Sequence, residues 1–204
     1  MIDLTRDGAF WTVTLNRPEK ANSLTSAMLS DLIAIAQEAR SAAKVFVLTG
    51  AGKVFSAGAD LDEARAGLAT SPLWEDLSGV IAELPCLTIA ALNGTLAGGA
   101  FGMALACDLR LSDPGAKFFY PVMKLGFLPQ PSDPKRMATL IGPARAKMIL
   151  MAGQKIAADE ALSWGLVDRL VPAAEQGVAI AELVEAPLAA SSDHIAGIKA
   201  LIHP

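Results

Sequence analysis

From residue 84 to residue 107 the chain runs for 24 residues without a charged side chain, and this run limits what the whole can fold into. A membrane-spanning helix needs about 20 consecutive apolar residues, so the length alone is compatible with a span. Asn93, Gly94, Thr95 and the Gly98-Gly99 pair cut the run in its middle, however, and leave two arms too short to cross separately. The run therefore reads as core: a buried strand over residues 87–92, a glycine-rich turn, and a short buried helix from about Gly99. A chain of 204 residues, 52% of them hydrophobic, can bury such a segment inside one main domain.

The charges are spread without runs and sum to −4. This gives no electrostatic footprint for nucleic acid or an anionic membrane, and neither is expected as a partner. Cys86 and Cys107 lie in apolar surroundings without metal-ligand spacing and read as small buried hydrophobes in a reducing compartment. Asp3, Arg6 and Asp7 stand where a signal peptide needs an apolar core, so a cytoplasmic location is expected. The two histidines, His194 and His203, sit near the chain end, which argues against a Ser-His-Asp relay or a histidine metal site.

Elsewhere the patterns alternate between strand and helix. Residues 1–5 and 9–15 resemble a hairpin turning at Asp7-Gly8, with Trp11, Val13 and Leu15 alternating. Met28, Leu29, Leu32, Ile33 and Ala36 fall at helical spacing behind Ser23 or Thr25 as a cap, giving a helix to about Ala43. A short buried strand at 45–48, helical patterns at 61–68 and 73–84, and a strand at 109–111 follow. From Ser132 the chain turns helical. One segment has Pro143 in its first turn and Gly153 past its end, and another is closed by Gly165. A final strand ends before an Ala-rich helical tail, broken by Pro187. No repeat is obvious. Strands alternating with helices imply an α/β arrangement with a helical C-terminal portion.

"TGAGKVFSAG" invites three motif readings, and each fails. A phosphate-binding P-loop needs glycine at Val47 and Ser or Thr at Val54. A dinucleotide fingerprint from Gly50 needs glycine at Phe55, and a nucleophile elbow around Ser56 needs glycine at Val54. What survives is a pair of glycine turns, "FSAGADL" (55–61) and "LAGGAFG" (96–102), each leading from a buried strand toward a short helix. Backbone N–H groups at such helix starts have no internal partner. Two of them aimed at one oxygen would make an oxyanion hole, and the small residues would let a thioester approach the backbone. The same turns could equally serve only to pack helices on strands.

The order "NRPEKANSL … VLTGAGKVFSAGADL … PCLTIAALNGTLAGGAFGMALACDLRL … FFYPVMKLGFLP … AKMILMAGQKIAADEALSWGLVDRLVP" resembles the enoyl-CoA hydratase/isomerase, or crotonase, superfamily over most of the chain, to about Pro172. The resemblance implies a crotonase-like spiral of ββα units over residues 1–172, with residues 173–204 as a shortened helical C-terminal segment. It also implies a homo-trimer or dimer of trimers, and a coenzyme A thioester as ligand; coenzyme A enters as part of the substrate, with no covalently bound cofactor and no metal. The N–H groups of Ala59 and Gly99 match the family's thioester-oxygen site. Ala57, Asp60, Leu61 and the Lys20–Ala21 loop match segments that line the coenzyme A, although Lys20 can also be a solvated loop charge. Asp60 and Asp108 match fold-supporting positions.

The same comparison finds the acids missing. Hydratases of the family use two glutamates to handle one water; here those positions are Gly102 and Val122. Other members place an aspartate where this chain has Gln130. Asp133, Tyr120 and Lys124 are candidate replacements. Each also has a structural reading: Asp133 as a helix cap, Tyr120 as a partly buried ring, Lys124 as a solvated charge. Family members continue beyond Pro204 with helices that cover the acyl pocket, so the site here would be more open or completed by a neighbouring subunit. Two functions stay open, an acyl-CoA enzyme working through a backbone oxyanion hole and a non-catalytic acyl-CoA-binding or subunit-interaction protein on the same fold.

Overall fold

The computed structural model describes residues 1–202; His203 and Pro204, the last two positions of the 173–204 segment, lie outside the described residues. Gly8, at φ +55°, turns the first hairpin. It joins β1 (Ile2–Asp7) to β2 (Phe10–Leu15) in antiparallel register from Ile2↔Leu15 to Asp7↔Phe10. Parallel strands then add to β2: β3 (Val45–Gly50), β5 (Leu87–Leu92), β7 (Leu109–Ser112) and β10 (Arg169–Leu170), giving the order β1-β2-β3-β5-β7-β10.

A second, four-stranded sheet is built from β4 (Val54–Ser56), β6 (Thr95–Ala97), β8 (Lys117–Phe119) and β9 (Ile156–Ala157) in the order β4-β6-β8-β9. Three successive units share one path. Each sends a longer strand to the first sheet, a strand of three or so residues to the second, and then a helix: α2 (Leu61–Arg65), α4 (Phe101–Ala106) or α5 (Val122–Leu125). The repeat is one of backbone path, which is why no repeat of residues announces it. It carries the expected α/β spiral.

The central parallel strands of the first sheet, β3, β5 and β7, are buried on both faces. In β3, Phe46 and Leu48 enter the main core with α1 (Ser26–Ala42) and α3 (Leu73–Ala82), while Val45 and Val47 join Ile180 and Val184 of α8 (Gln176–Ala189) on the opposite side. The 84–107 run is core, as its composition requires: Ile89 to Leu92 and Phe101 to Cys107 are all buried. No helix among the described residues is long and apolar enough to cross a membrane. Buried Arg110 reaches Leu166 O at 3.0 Å, Cys107 O at 2.7 Å and the Asp168 carboxylate at 3.3 Å, tying β7 to the β10 segment. Burial pushes the Cys86 thiol up to about 11 and the Cys107 thiol up to about 12, so both are inert hydrophobes here.

Several boundaries differ from those read off the sequence. The 61–68 pattern splits into α2 and a 3-10 turn at Leu68–Thr70, with Gly67 at φ +114° between them. In α6 (Asp133–Leu150) Gly142, at φ +80° and ψ 157°, interrupts the helix directly before Pro143, so the sequence segment beginning there is the second half of α6. Pro187 does not break α8. It stands in the last turn, where a missing N–H removes a single bond, and Ala190 N–H closes the end on Ala186 O and Pro187 O. The tail then forms a further helix, α9 (Ser192–Ile202), held by Lys199 Nζ on Cys86 O at 3.0 Å and on the Asp108 carboxylate at 2.8 Å. Asp108 also accepts from Thr88 N–H and Oγ1, which makes it the fold-supporting residue the sequence suggested.

Candidate active site

The first glycine turn leaves β4 at Ser56 and reaches α2 through Ala57, Gly58, Ala59 and Asp60. Leu24 runs alongside it: Leu24 N–H donates to Gly58 O and Asp60 N–H donates to Leu24 O, both at 2.8 Å. This is a parallel bridge centred on Ala59. In such a bridge the central residue of one side makes neither bond, so the N–H and C=O of Ala59 point away from Leu24. The turn is held from behind. Ala57 N–H donates to Ala21 O at 3.0 Å, and the buried Ser56 hydroxyl donates to Asn22 O at 2.8 Å. Asn22 is buried at φ +52°, a conformation asparagine tolerates better than most residues. Its side chain accepts from Arg17 N–H at 2.8 Å and donates to Ala51 O at 2.9 Å and Val54 O at 2.7 Å.

The second turn leaves β6 at Ala97 and enters a 3-10 turn, Gly98–Ala100, that continues into α4. Gly99 N–H lies in this first turn, where N–H groups have no partner within the helix. The two turns touch backbone to backbone. A Cβ on Gly58 would come within 3.0 Å of Ala97 O, 3.3 Å of Gly98 Cα and 3.5 Å of Gly99 N. Gly58 sits at φ +92° and Gly98 at φ +58°; glycine is favoured at both by conformation, and at Gly58 by the close approach as well.

A cleft of about 210 Å³ opens beside this contact, and Ala57, Ala59, Leu61, Gly99, Tyr120 and Val122 share its wall. The structure thus gathers four of the residues assigned from the sequence: Ala57, Ala59, Leu61 and Gly99. The others stand apart from the wall. Lys20 is exposed at the end of the 3-10 turn Pro18–Lys20; Ala21, at φ +50°, supports the wall through its carbonyl. The Asp60 carboxylate caps α2 by accepting from Asp62 N–H and Glu63 N–H, and pairs with Arg17 at 2.7 Å. The Arg17 hydrogen bond holds its carboxyl below the ordinary aspartate value. Trp74 of α3 also lines the cleft. Its ring lies 3.2 Å from where a Gly99 Cβ would be, and its Nε1–H donates to Leu68 O at 2.8 Å. Nothing in the sequence distinguished Trp74 from any core aromatic on a helix.

The acid positions are the informative ones. Gly102, buried on α4, and Val122, buried on α5, bring no carboxylate, and Gln130 donates to Ala69 O at 3.4 Å. Asp133, however, is not the helix cap it resembles. Although it is the first residue of α6, it is fully buried and no side chain caps that helix. Its Oδ2 accepts from the Tyr120 hydroxyl at 2.9 Å, and its Oδ1 has no partner among the described residues. A Cβ on Gly102 would stand 2.9 Å from Oδ1 and 3.5 Å from Oδ2. The absent side chain on α4 is thus what gives the α6 carboxyl its place. Burial pushes the Asp133 carboxyl up to about 7, against the Tyr120 hydrogen bond and the Arg136 charge, which lower it. Burial, then the Asp133 charge, pushes the Tyr120 phenol well above its usual range. Tyr120 is largely buried, 3% exposed, at the cleft wall and stacked on Phe101 at 5.5 Å, while Lys124 is exposed. Among the described residues no three His, Cys, Asp or Glu side chains gather as a metal site.

Comparison with known proteins places this architecture. A sequence model described as enoyl-CoA hydratase/isomerase matches residues 5–203. A probable enoyl-CoA hydratase of Mycobacterium leprae is 35% identical over 195 residues, covering 93% of this chain and 79% of that protein. The short-chain-enoyl-CoA hydratase of Clostridium acetobutylicum is 34% identical over 184 residues, covering 84% and 69%. Among solved structures, an enoyl-CoA hydratase from Bacillus anthracis superimposes with a TM-score of 0.91 at 32% identity, covering 98% of this chain and 81% of that one.

Proposed function

The chain belongs to the enoyl-CoA hydratase/isomerase family, and on that premise we propose that it binds an acyl-CoA thioester with the carbonyl oxygen between the N–H groups of Ala59 and Gly99. The observation that carries this reading is the backbone contact of the two glycine turns, with Ala59 turned away from its bridge partner at that contact. Two fixed donors on one oxygen hold negative charge as the carbonyl becomes enolate-like. In such holes one donor is worth about 10²–10³ in rate. The reaction is one that places negative charge on the thioester oxygen: isomerisation or decarboxylation through an enolate, or thioester cleavage through a tetrahedral intermediate. Hydration is disfavoured because the glutamate positions are Gly102 and Val122. Coenzyme A enters with the substrate, and Leu61, 72% exposed at the cleft edge, belongs to the segment that receives it. Exposed Met123, Leu125 and Leu128 beside the cleft fit the subunit contacts of a homo-trimer.

A second reading, a non-catalytic acyl-CoA-binding protein, is favoured by one observation: none of the three family acid positions holds a carboxylate. Both readings need the hole. The test compares butyryl-CoA with its thioether analogue, in which a methylene replaces the carbonyl, by titration against tryptophan fluorescence. Two hydrogen bonds of about 1 kcal/mol each make the thioester bind roughly tenfold or more tightly. Equal affinities would contradict the reading.

A further inference from the structure

The wall of the cleft holds few polar side chains. Trp74 commits its N–H to Leu68 O, and Gln130 commits its amide to Ala69 O. Among the lining residues, Tyr120 alone carries a hydroxyl that can pass a proton on. Its ring is fixed by stacking on Phe101 of α4 at 5.5 Å and 15°, and the hydroxyl is fixed by Asp133 at 2.9 Å. Asp133 lies in the layer directly behind the wall, over Gly102. Gly102 stands three residues beyond Gly99, so the two positions are neighbours on one helical face. A buried carboxylate oxygen without a partner is costly and rare, and calls for a cause. Here Asp133 Oδ1 is such an atom.

We propose that Tyr120 and Asp133 form the proton relay of this cleft, supplying from α6 the acid–base function that α4 and α5 lack. The proposal rests on the acyl-CoA reading above. In the forward step the C–H bond next to the thioester carbonyl breaks, and its proton goes to Tyr120 Oη. The Tyr120 O–H proton passes along the existing hydrogen bond to Asp133 Oδ2. The C–H electron pair moves toward the carbonyl oxygen, where Ala59 and Gly99 N–H hold it. Tyr120 ends neutral, so its raised phenol is no obstacle, and Asp133 ends as a carboxylic acid. The reverse step returns a proton to the same carbon. Tyr120 touches the substrate; Asp133 is the positioning residue behind it.

The charged and titratable groups facing Asp133 are Tyr120, Glu75 of α3 and Arg136 of α6. Glu75 accepts from Ser132 N–H at 3.2 Å and from its hydroxyl at 3.0 Å, and Arg136 donates to the Ser132 hydroxyl at 2.7 Å. The α4 face contributes no charge, because Gly102 stands there. The carboxylate is the accepting form, so proton abstraction rises with pH through about 7.

The experiment is deuterium uptake by butyryl-CoA in heavy water, read by mass spectrometry between about pH 6 and about pH 8. Wild type, Tyr120→Phe and Asp133→Asn are compared, with binding and thermal melts measured beside it. Wild type exchanges with a step near pH 7. Tyr120→Phe, which removes a single oxygen, and Asp133→Asn each lose about a hundredfold or more, lose the step, and bind butyryl-CoA within about threefold of wild type. A folded Tyr120→Phe exchanging at the wild-type rate, or an Asp133→Asn that keeps the pH step, overturns the relay. Wild type that binds butyryl-CoA and exchanges nothing overturns the relay and leaves the binding reading standing. Failure to bind overturns both.

Discussion

At the scale of single residues, Asp133 has one hydrogen bond and no contact with water. Its carboxyl is held up to about 7 mainly by burial, whereas the unfolded chain releases that proton near the ordinary aspartate value. The folded state therefore keeps a proton that the unfolded state has lost over the interval from about pH 4 to about pH 7, and stability falls as pH rises across it. The swing is on the order of a few kcal/mol. Asp133→Asn has no such titration. Urea unfolding at about pH 5 and about pH 8 should show the wild type losing ground to the variant as pH rises; a difference independent of pH would contradict a buried, proton-retaining carboxyl. The sequence offered Asp133 only as an acid three residues past Gln130, and a cap before a helical run was the plainer reading. What made it something else is Gly102, more than thirty residues earlier, whose missing side chain leaves the space. A contact between α4 and α6 leaves no mark in either segment alone.

Among the elements, the glycine turns were legible because their chemistry is local. Gly58 and Gly98 both take a left-handed backbone, and Gly58 adds a close approach to Ala97 O that leaves no room for a Cβ. The second sheet was not legible. β4, β6, β8 and β9 are two or three residues long, too short for an alternating pattern to appear, and β6 hides inside what reads as one glycine turn. These strands nevertheless aim both turns at the cleft, and the first turn is further fixed by the loop before α1. Asn22 carries that load through Arg17 N–H, Ala51 O and Val54 O. Asn22→Ala strands buried polar groups at an unfavourable φ, at a cost of about 2–3 kcal/mol, or roughly 5–10 °C in Tm. Acyl-CoA affinity should fall with it. A variant that melts lower and binds as tightly as wild type would show that the loop does not set the geometry of the Ala59 turn.

For the whole molecule, the uncharged run that opens the sequence serves two purposes. Residues 87–92 are the centre of a sheet buried on both faces by the main core and α8. Gly98 and Gly99 are part of the wall of the cleft and lead into α4. One stretch could do both because core and wall need the same thing, small or apolar residues without charge, and this is why composition alone could not separate the two. Hairpin, buried strands and covering helices followed from periodicity, whereas the parallel pairing of the strands and their division into two sheets followed only from the long-range register. The claim on which the rest depends is that the cleft holds a thioester by its carbonyl oxygen. It is tested most directly by the carbonyl stretch of butyryl-CoA labelled with carbon-13 at C1, measured by difference infrared spectroscopy free in solution and bound to the protein. Two backbone donors polarise the C=O bond, so the account expects a stretch moved to lower frequency on binding. A bound ligand whose carbonyl absorbs at the frequency of the free thioester in water, or higher, would contradict it.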